Sequence, residues 1–296
     1  MTTRTGPLFT KVALLGVGLI GASMAHAIRR GSLAAHIAGH TRSPVTRKRA
    51  SEIGFCHSMH EDPLEAVRDA DLVVLCTPVG VFGDVARTIA PALKPGAILT
   101  DVGSVKTAVV RDVGPHVPDG VHFIPGHPIA GTEHSGPDAG FAELFDGRWC
   151  VLTPLPGADE AAVERLKTFW KGCGSRVEVM DPKHHDLVLA ITSHVPHLIA
   201  YNIVGTASDL EQVTQSEVIK FSAGGFRDFT RIASSSPEMW RDIAVANRDA
   251  LLGELRIYQA KLQRLQQLLE TRDKDGLAAL FAHARTARND WLARQP

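Results

Sequence analysis

The six residues Gly16-Val17-Gly18-Leu19-Ile20-Gly21 constrain this chain more than any other stretch, because of where they stand. They follow the apolar run Val12-Ala13-Leu14-Leu15 and open a segment of helical character, so the GxGxxG spacing falls in the strand-turn-helix setting of a dinucleotide-binding fingerprint. There the first glycine permits a tight turn, the second lets backbone approach a pyrophosphate, and the third lets helix pack closely on strand. The free N–H groups at the helix start, around Leu19 and Ile20, then meet phosphate charge.

The same pattern continues downstream. Short β-rich runs (HIAGH, DLVVLC, AILTD, VHFIP, WCVLTP, RVEVM) alternate with helix-like segments at 80–92, 105–115 and 158–172. Alternation of this kind predicts a Rossmann-type α/β domain with a mostly parallel sheet and helices on both faces. After about His184 the strand runs stop, and 183–206, 237–271 and 274–293 read as helices. At 296 residues two domains are expected, 1–182 for NAD(P) and an all-α 183–296 for substrate and dimerisation, parted near the Asp181-Pro182 step. Leu251, Leu255, Tyr258, Leu262, Leu265 and Leu269 form a continuous apolar seam on one helix, to be covered by the chain's own core or by a second subunit.

Lysine plus arginine and aspartate plus glutamate number 32 each with no long block of one sign, which argues against nucleic acid as a partner. Four widely spaced cysteines fit reduced thiols, and Val12 to Ile28 is too short and too interrupted to span a bilayer, so a cytoplasmic protein with no membrane partner is expected. His184, His185, His194 and His197 invite a metal reading, but His185 and His194 project half a turn apart and Pro196 disturbs the helix, so no metal is expected.

For the cofactor, the end of the second strand offers Gly39-His40-Thr41-Arg42-Ser43 and no carboxylate for a ribose 2′-hydroxyl. Arg42 can pair with a 2′-phosphate and Thr41 or Ser43 can hydrogen-bond it, a lean toward NADP, while a solvated surface role for Arg42 stays open and the cofactor is NAD or NADP. Thr77, Pro78 and Asp101 stand at strand C-terminal ends, where open α/β sheets bind ligands, and are further cofactor candidates.

Four blocks in order, DVGSVK (101–106), GHPIAGTEHSG (126–136), HHDLVLAITSHVPH (184–197) and GGFRDFTRIA (224–233), together with the glycine fingerprint, resemble the prephenate and arogenate dehydrogenases of tyrosine biosynthesis over about residues 10–290. The resemblance implies an oxidative decarboxylation with NAD(P), in a homodimer, in which a ring hydroxyl loses its proton, hydride leaves for the nicotinamide and a carboxylate departs as CO₂. It assigns His127, in the loop after VHFIP, as catalytic base, a task suited to imidazole near neutral pH. Ser104 is implied to bond the same hydroxyl, and it equally stands where an N-cap would start helix 105–115. Arg231 is implied to hold a substrate carboxylate through its planar fork, or else pairs with Asp228 or Glu133. Thr132, Glu133, His185 and His197 are implied around the substrate, and Trp240 either reaches a neighbouring subunit's site or is a core tryptophan.

Two rival readings remain open at this level. A β-hydroxyacid or imine reductase of the same plan would use Lys106 for the proton, and a non-catalytic dinucleotide sensor would leave GHPIAGTEHSG and the histidine block without a purpose.

Overall fold

The computed structural model describes residues 6–214 and 220–294. Its main sheet has the order β3-β2-β1-β4-β5-β6 with every pair parallel: β1 (Phe9–Leu15), β2 (Ala34–His40), β3 (Ser58–His60), β4 (Leu72–Leu75), β5 (Ile98–Asp101) and β6 (His122–Phe123). Successive side chains of a strand face opposite ways, and here both faces are covered. Val12, Leu14, Leu72, Val74 and Ile98 enter one core with α1 (Leu19–Arg30), α2 (Pro44–Ile53) and α6 (Glu160–Gly172). Ala13, Leu15, Val73, Leu75 and Leu99 enter the other with α3 (Pro63–Val67), α4 (Phe82–Ile89) and α5 (Lys106–Val113). That double burial explains the unbroken apolar runs in the sequence and gives the Rossmann-type α/β fold.

A second, three-stranded sheet departs from the expectation of one continuous array. β7 (Gly126–Pro128) pairs antiparallel with β8 (Trp149–Leu152), which pairs parallel with β9 (Arg176–Val179). The stretch GHPIAGTEHSG is therefore a loop only from Ile129 onward: His127 sits opposite Val151 in a paired strand. Pro125, whose carbonyl accepts from Thr153, carries the chain from one sheet to the other.

Helices follow as expected, with two interruptions. α7 (Pro182–Leu189) continues into α8 (Val195–Thr214) through a single π turn, Ala190–His194. Pro196 lacks an N–H and its ring crowds the carbonyl one turn earlier, so the regular ladder opens there. The segment expected to be helical over 237–271 breaks at Asn247 (φ −103, ψ 25) between α10 (Pro237–Ala246) and α11 (Arg248–Glu270). Before these lies α9 (Gly224–Thr230), and α12 (Lys274–Ala293) ends the described chain.

Compactness divides the chain into Met1–Arg248 and Asp249–Pro296. α7 through α10 belong with the sheet because Val105 and Ala108 share a core with Trp240 and Ile243. Along α11 Leu251 is buried, Leu255, Tyr258 and Leu265 are half-buried, and Leu262 and Leu269 are exposed. Among the described residues one helical stretch, Pro182–Leu210, has the length and mean hydropathy (1.5) to cross a membrane. It also holds His185, Asp186 and His194 buried and hydrogen-bonded to neighbouring elements, as in a helix packed within protein.

The two sheets and α5 are pinned at one point. The ammonium of Lys106 contacts the carboxylate of Asp101 and donates to the carbonyl of Gly126 (2.6 Å), while Asp101 also accepts from the N–H groups of Gly103 (2.8 Å) and Gly126 (3.1 Å). Both side chains are fully buried. Burial pushes the Asp101 carboxyl up and the Lys106 amine down, and their mutual contact and these backbone partners oppose it. Removing one member leaves an unpaired interior charge, so Lys106→Met is expected to cost about 3–5 kcal/mol. A urea titration measures this, and a loss below about 1 kcal/mol would contradict the assignment.

Candidate active site

At the glycine turn, the geometry follows the sequence argument closely. Gly16 has φ +108, and a Cβ there would lie 2.6 Å from the carbonyl of Cys76; one at Gly21 would lie 2.0 Å from the Gly16 oxygen. Both positions therefore admit only glycine, the first for its turn and the second for helix-strand contact. A Cβ on Gly18 would instead meet open space, and no side chain caps the start of α1. Leu19 and Ile20 lie half-buried over the core behind them.

Beside the turn, the Thr77 hydroxyl is a buried polar atom without a hydrogen-bond partner among the described residues. An open approach, an uncapped helix start and an unused buried hydroxyl fit a dinucleotide. Pro78 and Arg42 are exposed, and Arg42 makes no ion pair among the described residues. The Ser43 hydroxyl caps α2 by accepting from Thr46 N–H (3.2 Å), and the Thr41 carbonyl accepts from Arg47 (3.2 Å). Asp101, expected at the cofactor, has its carboxylate fully buried against Lys106.

The second cluster is built around Asp186, which the sequence argument did not single out. Its carboxylate accepts from the N–H of Lys106 (2.7 Å) and of Thr107 (2.8 Å), capping α5 from a residue 80 positions away. Ser104 is thus not the N-cap: Val105 holds that position, and the half-buried Ser104 hydroxyl is not spent on the helix. Asp186 also meets His185 Nδ1 at 2.9 Å, and His185 Nε2 lies 2.9 Å from His127 Nδ1. Burial alone would raise the Asp186 carboxyl; hydrogen bonds from His185, Lys106 and Thr107 outweigh it and hold the group below its ordinary range.

These contacts fix the proton positions. An ionised carboxylate only accepts, so His185 carries its proton on Nδ1 and its Nε2 accepts from His127 Nδ1–H. His127 then presents the Nε2 lone pair, which makes no hydrogen bond among the described residues. Burial, followed by the fields of His185, Lys106 and His194, pushes the His127 imidazole well below its ordinary value, so it is neutral at pH 7. His185, expected around the substrate, is fully buried with both nitrogens engaged.

A third layer supports the first two. Asn247 Nδ2 donates to the carbonyl of Asp186 (2.9 Å) and lies 3.0 Å from His194 Nδ1, so the break between α10 and α11 turns an amide inward to hold α7 and the π turn. Trp240 stacks on His197 at 3.6 Å between centroids and is 8% exposed. It packs with Val105, Ala108 and Ile243 of its own chain, as in the core-tryptophan alternative. His197 Nδ1–H donates to Ser193 O (2.8 Å), leaving Nε2 as an acceptor.

On the exposed rim, Arg231 pairs with Glu133 at 3.4 Å, while the Thr132 hydroxyl accepts from His134 N–H (3.2 Å). Hydrogen bonding to its own backbone N–H, and then Arg231, lower the Glu133 carboxyl. Lys106, the proton donor of the reductase reading, is enclosed and unavailable to substrate. Among the described residues no group of three or more metal-ligating side chains converges.

Comparison with known proteins decides the lineage. The nucleotide-binding domain of prephenate dehydrogenases matches residues 24–179, and their dimerization domain matches residues 181–283. The chain belongs to the prephenate dehydrogenase family. Cyclohexadienyl dehydrogenase of Zymomonas mobilis is 40% identical over 281 residues, covering 95% of this chain and 96% of that one. Prephenate dehydrogenase of Bacillus subtilis is 34% identical over 285 residues, covering 96% and 76%. Among solved structures, prephenate dehydrogenase from A. aeolicus in complex with hydroxyphenyl propionate and NAD+ superposes with a TM-score of 0.88 at 30% identity, over 98% of this chain and 99% of that one. The chain is thus an oxidoreductase of that family with a Rossmann-type nucleotide-binding domain.

Burial of neutral histidines in this family member has a consequence for stability. His127, His185 and His194 all have folded-state values below 6.5, His194 falling to about 4. Above pH 6.5 both folded and unfolded chains hold them neutral, and stability from this source is constant. As pH falls from 6.5 toward 4 the unfolded chain binds protons that the folded chain refuses, so stability is lost across that window. His194 alone accounts for about 3 kcal/mol of it. Urea midpoints across that range are expected to fall with acid, and less steeply in His194→Gln; an unchanged slope would count against a buried neutral His194.

Proposed function

We propose that the chain catalyses the NAD(P)-dependent oxidative decarboxylation of prephenate, arogenate or both, giving 4-hydroxyphenylpyruvate or tyrosine in tyrosine biosynthesis. The observation that carries this reading is the neutral His127 on β7, oriented by His185 and Asp186 so that Nε2 accepts, in a chain with the family's nucleotide-binding turn. A general base of this kind contributes roughly 10²–10⁴-fold when it lies within reach of the proton it removes.

The proposed roles follow from the chemistry of each side chain. His127 takes the proton of the ring hydroxyl at Nε2, and the Ser104 hydroxyl, free of helix capping, bonds the same oxygen. Arg231 exchanges its weak, exposed contact with Glu133 for a substrate carboxylate, which its planar fork grips with two bonds. Glu133 serves as its resting partner and gate. Thr132 shapes the loop, and His197, braced by Trp240, offers its Nε2 toward substrate or nicotinamide. The glycine turn, α1 and Thr77 hold the dinucleotide, whose nicotinamide supplies the hydride acceptor.

Two finer statements belong to the same proposal. The dinucleotide is NADP in preference to NAD, because Arg42 is exposed and makes no ion pair among the described residues, and the strand end 39–43 carries no carboxylate for a ribose 2′-hydroxyl. The protein acts as a homodimer through its helical part, since Leu187, Ile191, Ile203, Val204 and Leu210 leave an apolar row exposed along α7 and α8.

His127→Asn is expected to lower kcat by on the order of 10²–10⁴-fold with dinucleotide affinity nearly unchanged, as read by steady-state turnover and fluorescence titration. Retained turnover with prephenate and arogenate would remove His127 as the base. Crossing both substrates with NAD and NADP tests the cofactor: Arg42→Ala is expected to raise the KM for NADP about tenfold or more and leave that for NAD unaltered. Equal effects on both would leave Arg42 as a surface charge only.

A further inference from the structure

The proton taken by a base must rest somewhere, and the surroundings of His127 are a poor place for positive charge. Lys106 and His194 face it from α5 and the π turn, His185 from α7, and every one of these groups disfavours its protonation. Around His185 the balance differs. Burial and Lys106 still hold the His185 imidazole below its ordinary value, but Asp186 in direct contact and Asp101 farther off oppose them, support that His127 lacks. The two imidazoles are joined by a 2.9 Å hydrogen bond already aligned for transfer.

We infer that Asp186, His185 and His127 form a proton relay in which the positive charge generated by the reaction passes from His127 to His185 and is held beside the Asp186 carboxylate. This rests on the reading of His127 as base. The substrate hydroxyl proton bonds to His127 Nε2 as the O–H bond breaks, and its electron pair stays with the oxygen. The proton on His127 Nδ1 passes to His185 Nε2. His127 is left neutral with its proton on Nε2, and His185 becomes an imidazolium whose Nδ1–H still donates to Asp186. Reversal of both transfers, delivering the proton to water when product leaves, restores the starting tautomers. In these roles His185 and Asp186 are positioning residues that act through His127.

Asp186 has a second consequence for the same step. Its other bonds fix the first turn of α5, the residues directly after Ser104. One carboxylate thereby sets both the tautomer of the base and the start of the helix that carries the hydroxyl group beside it. A neutral alanine-like replacement would disturb both, so conservative variants are needed to separate them.

The test uses full-length, dinucleotide-loaded enzyme labelled with ¹⁵N-histidine, with prephenate as substrate. In the wild type, ¹⁵N spectra are expected to show His127 and His185 both protonated on Nδ1; protonation of His127 on Nε2 in the resting enzyme overturns the relay without any variant. His185→Gln keeps an oxygen able to accept from His127 Nδ1–H but cannot take a proton. It is expected to preserve the His127 tautomer, lower kcat on the order of 10²-fold and leave KM within about threefold. Asp186→Asn is expected to lower kcat similarly and to move the acid limb of kcat to lower pH, because the imidazolium loses its counter-charge. Wild-type kcat and an unmoved acid limb in either folded variant overturn the relay and leave Asp186 as a helix cap only. Loss of turnover in His127→Asn but not in His185→Gln sinks the relay alone, whereas retained turnover in His127→Asn sinks the function proposed above.

Discussion

The carboxylate of Asp186 ties the parts of this enzyme into one site. It lies on the first helix after the sheet-bearing region, yet its oxygens satisfy the opening N–H groups of α5 and the Nδ1–H of His185 together. An unsatisfied helix start in the interior is costly, as is an unpaired buried carboxylate, and here each removes the other's penalty. Asn247 then clamps the backbone of Asp186 and the ring of His194, so the cap, the histidine pair and the π turn hold one another in place. The Lys106–Asp101 pair does a complementary task at the sheet ends, locking α5 to β5 and β7. Both devices are buried, and both fix where His127 and the residues around Ser104 stand.

What could be read from the sequence was local. The glycine fingerprint gave its own turn, helix start and packing contact within six residues, and the alternating runs gave the parallel sheet because period and burial are properties of each segment. His127 was identifiable through the family blocks, although its place in a strand was not: β7 is three residues long and owes its pairing to β8, far along the chain. Asp101 illustrates a contact that the local pattern did not weigh. A carboxylate at a strand C-terminal end suits a ligand, but Lys106 lies five residues on, across the turn into α5, and that spacing was the available sign of an internal pair. Ser104 was misread as a possible cap for a related reason, since the true cap comes from Asp186, and single-sequence pattern carries no signal for a contact at that separation. Trp240 and His197 likewise meet only through folding.

The rival chemistries are separated by burial rather than by residue type. Lysine and histidine both move protons, and Lys106 and His127 both stand beside the junction of the two sheets. Lys106 is enclosed with a carboxylate and a carbonyl, which fixes it as an ionic staple, while His127 keeps one nitrogen at the edge of solvent. A protein that merely sensed dinucleotide would have little need of a carboxylate-imidazole-imidazole chain, whose interior polar groups are expensive unless they are fully paired.

His127 rides on a paired strand, bonded to a ring that is itself bonded to a capped carboxylate, whereas Arg231 and Glu133 stand on exposed segments. The entropy of placing the base we propose is therefore lost once, when the chain folds, and not again at each encounter with substrate. On the proposed roles, only the arm that carries Arg231 must be ordered anew in every cycle. Evolution can thus retune which acid is captured by altering the rim, without disturbing the frame that aims the imidazole.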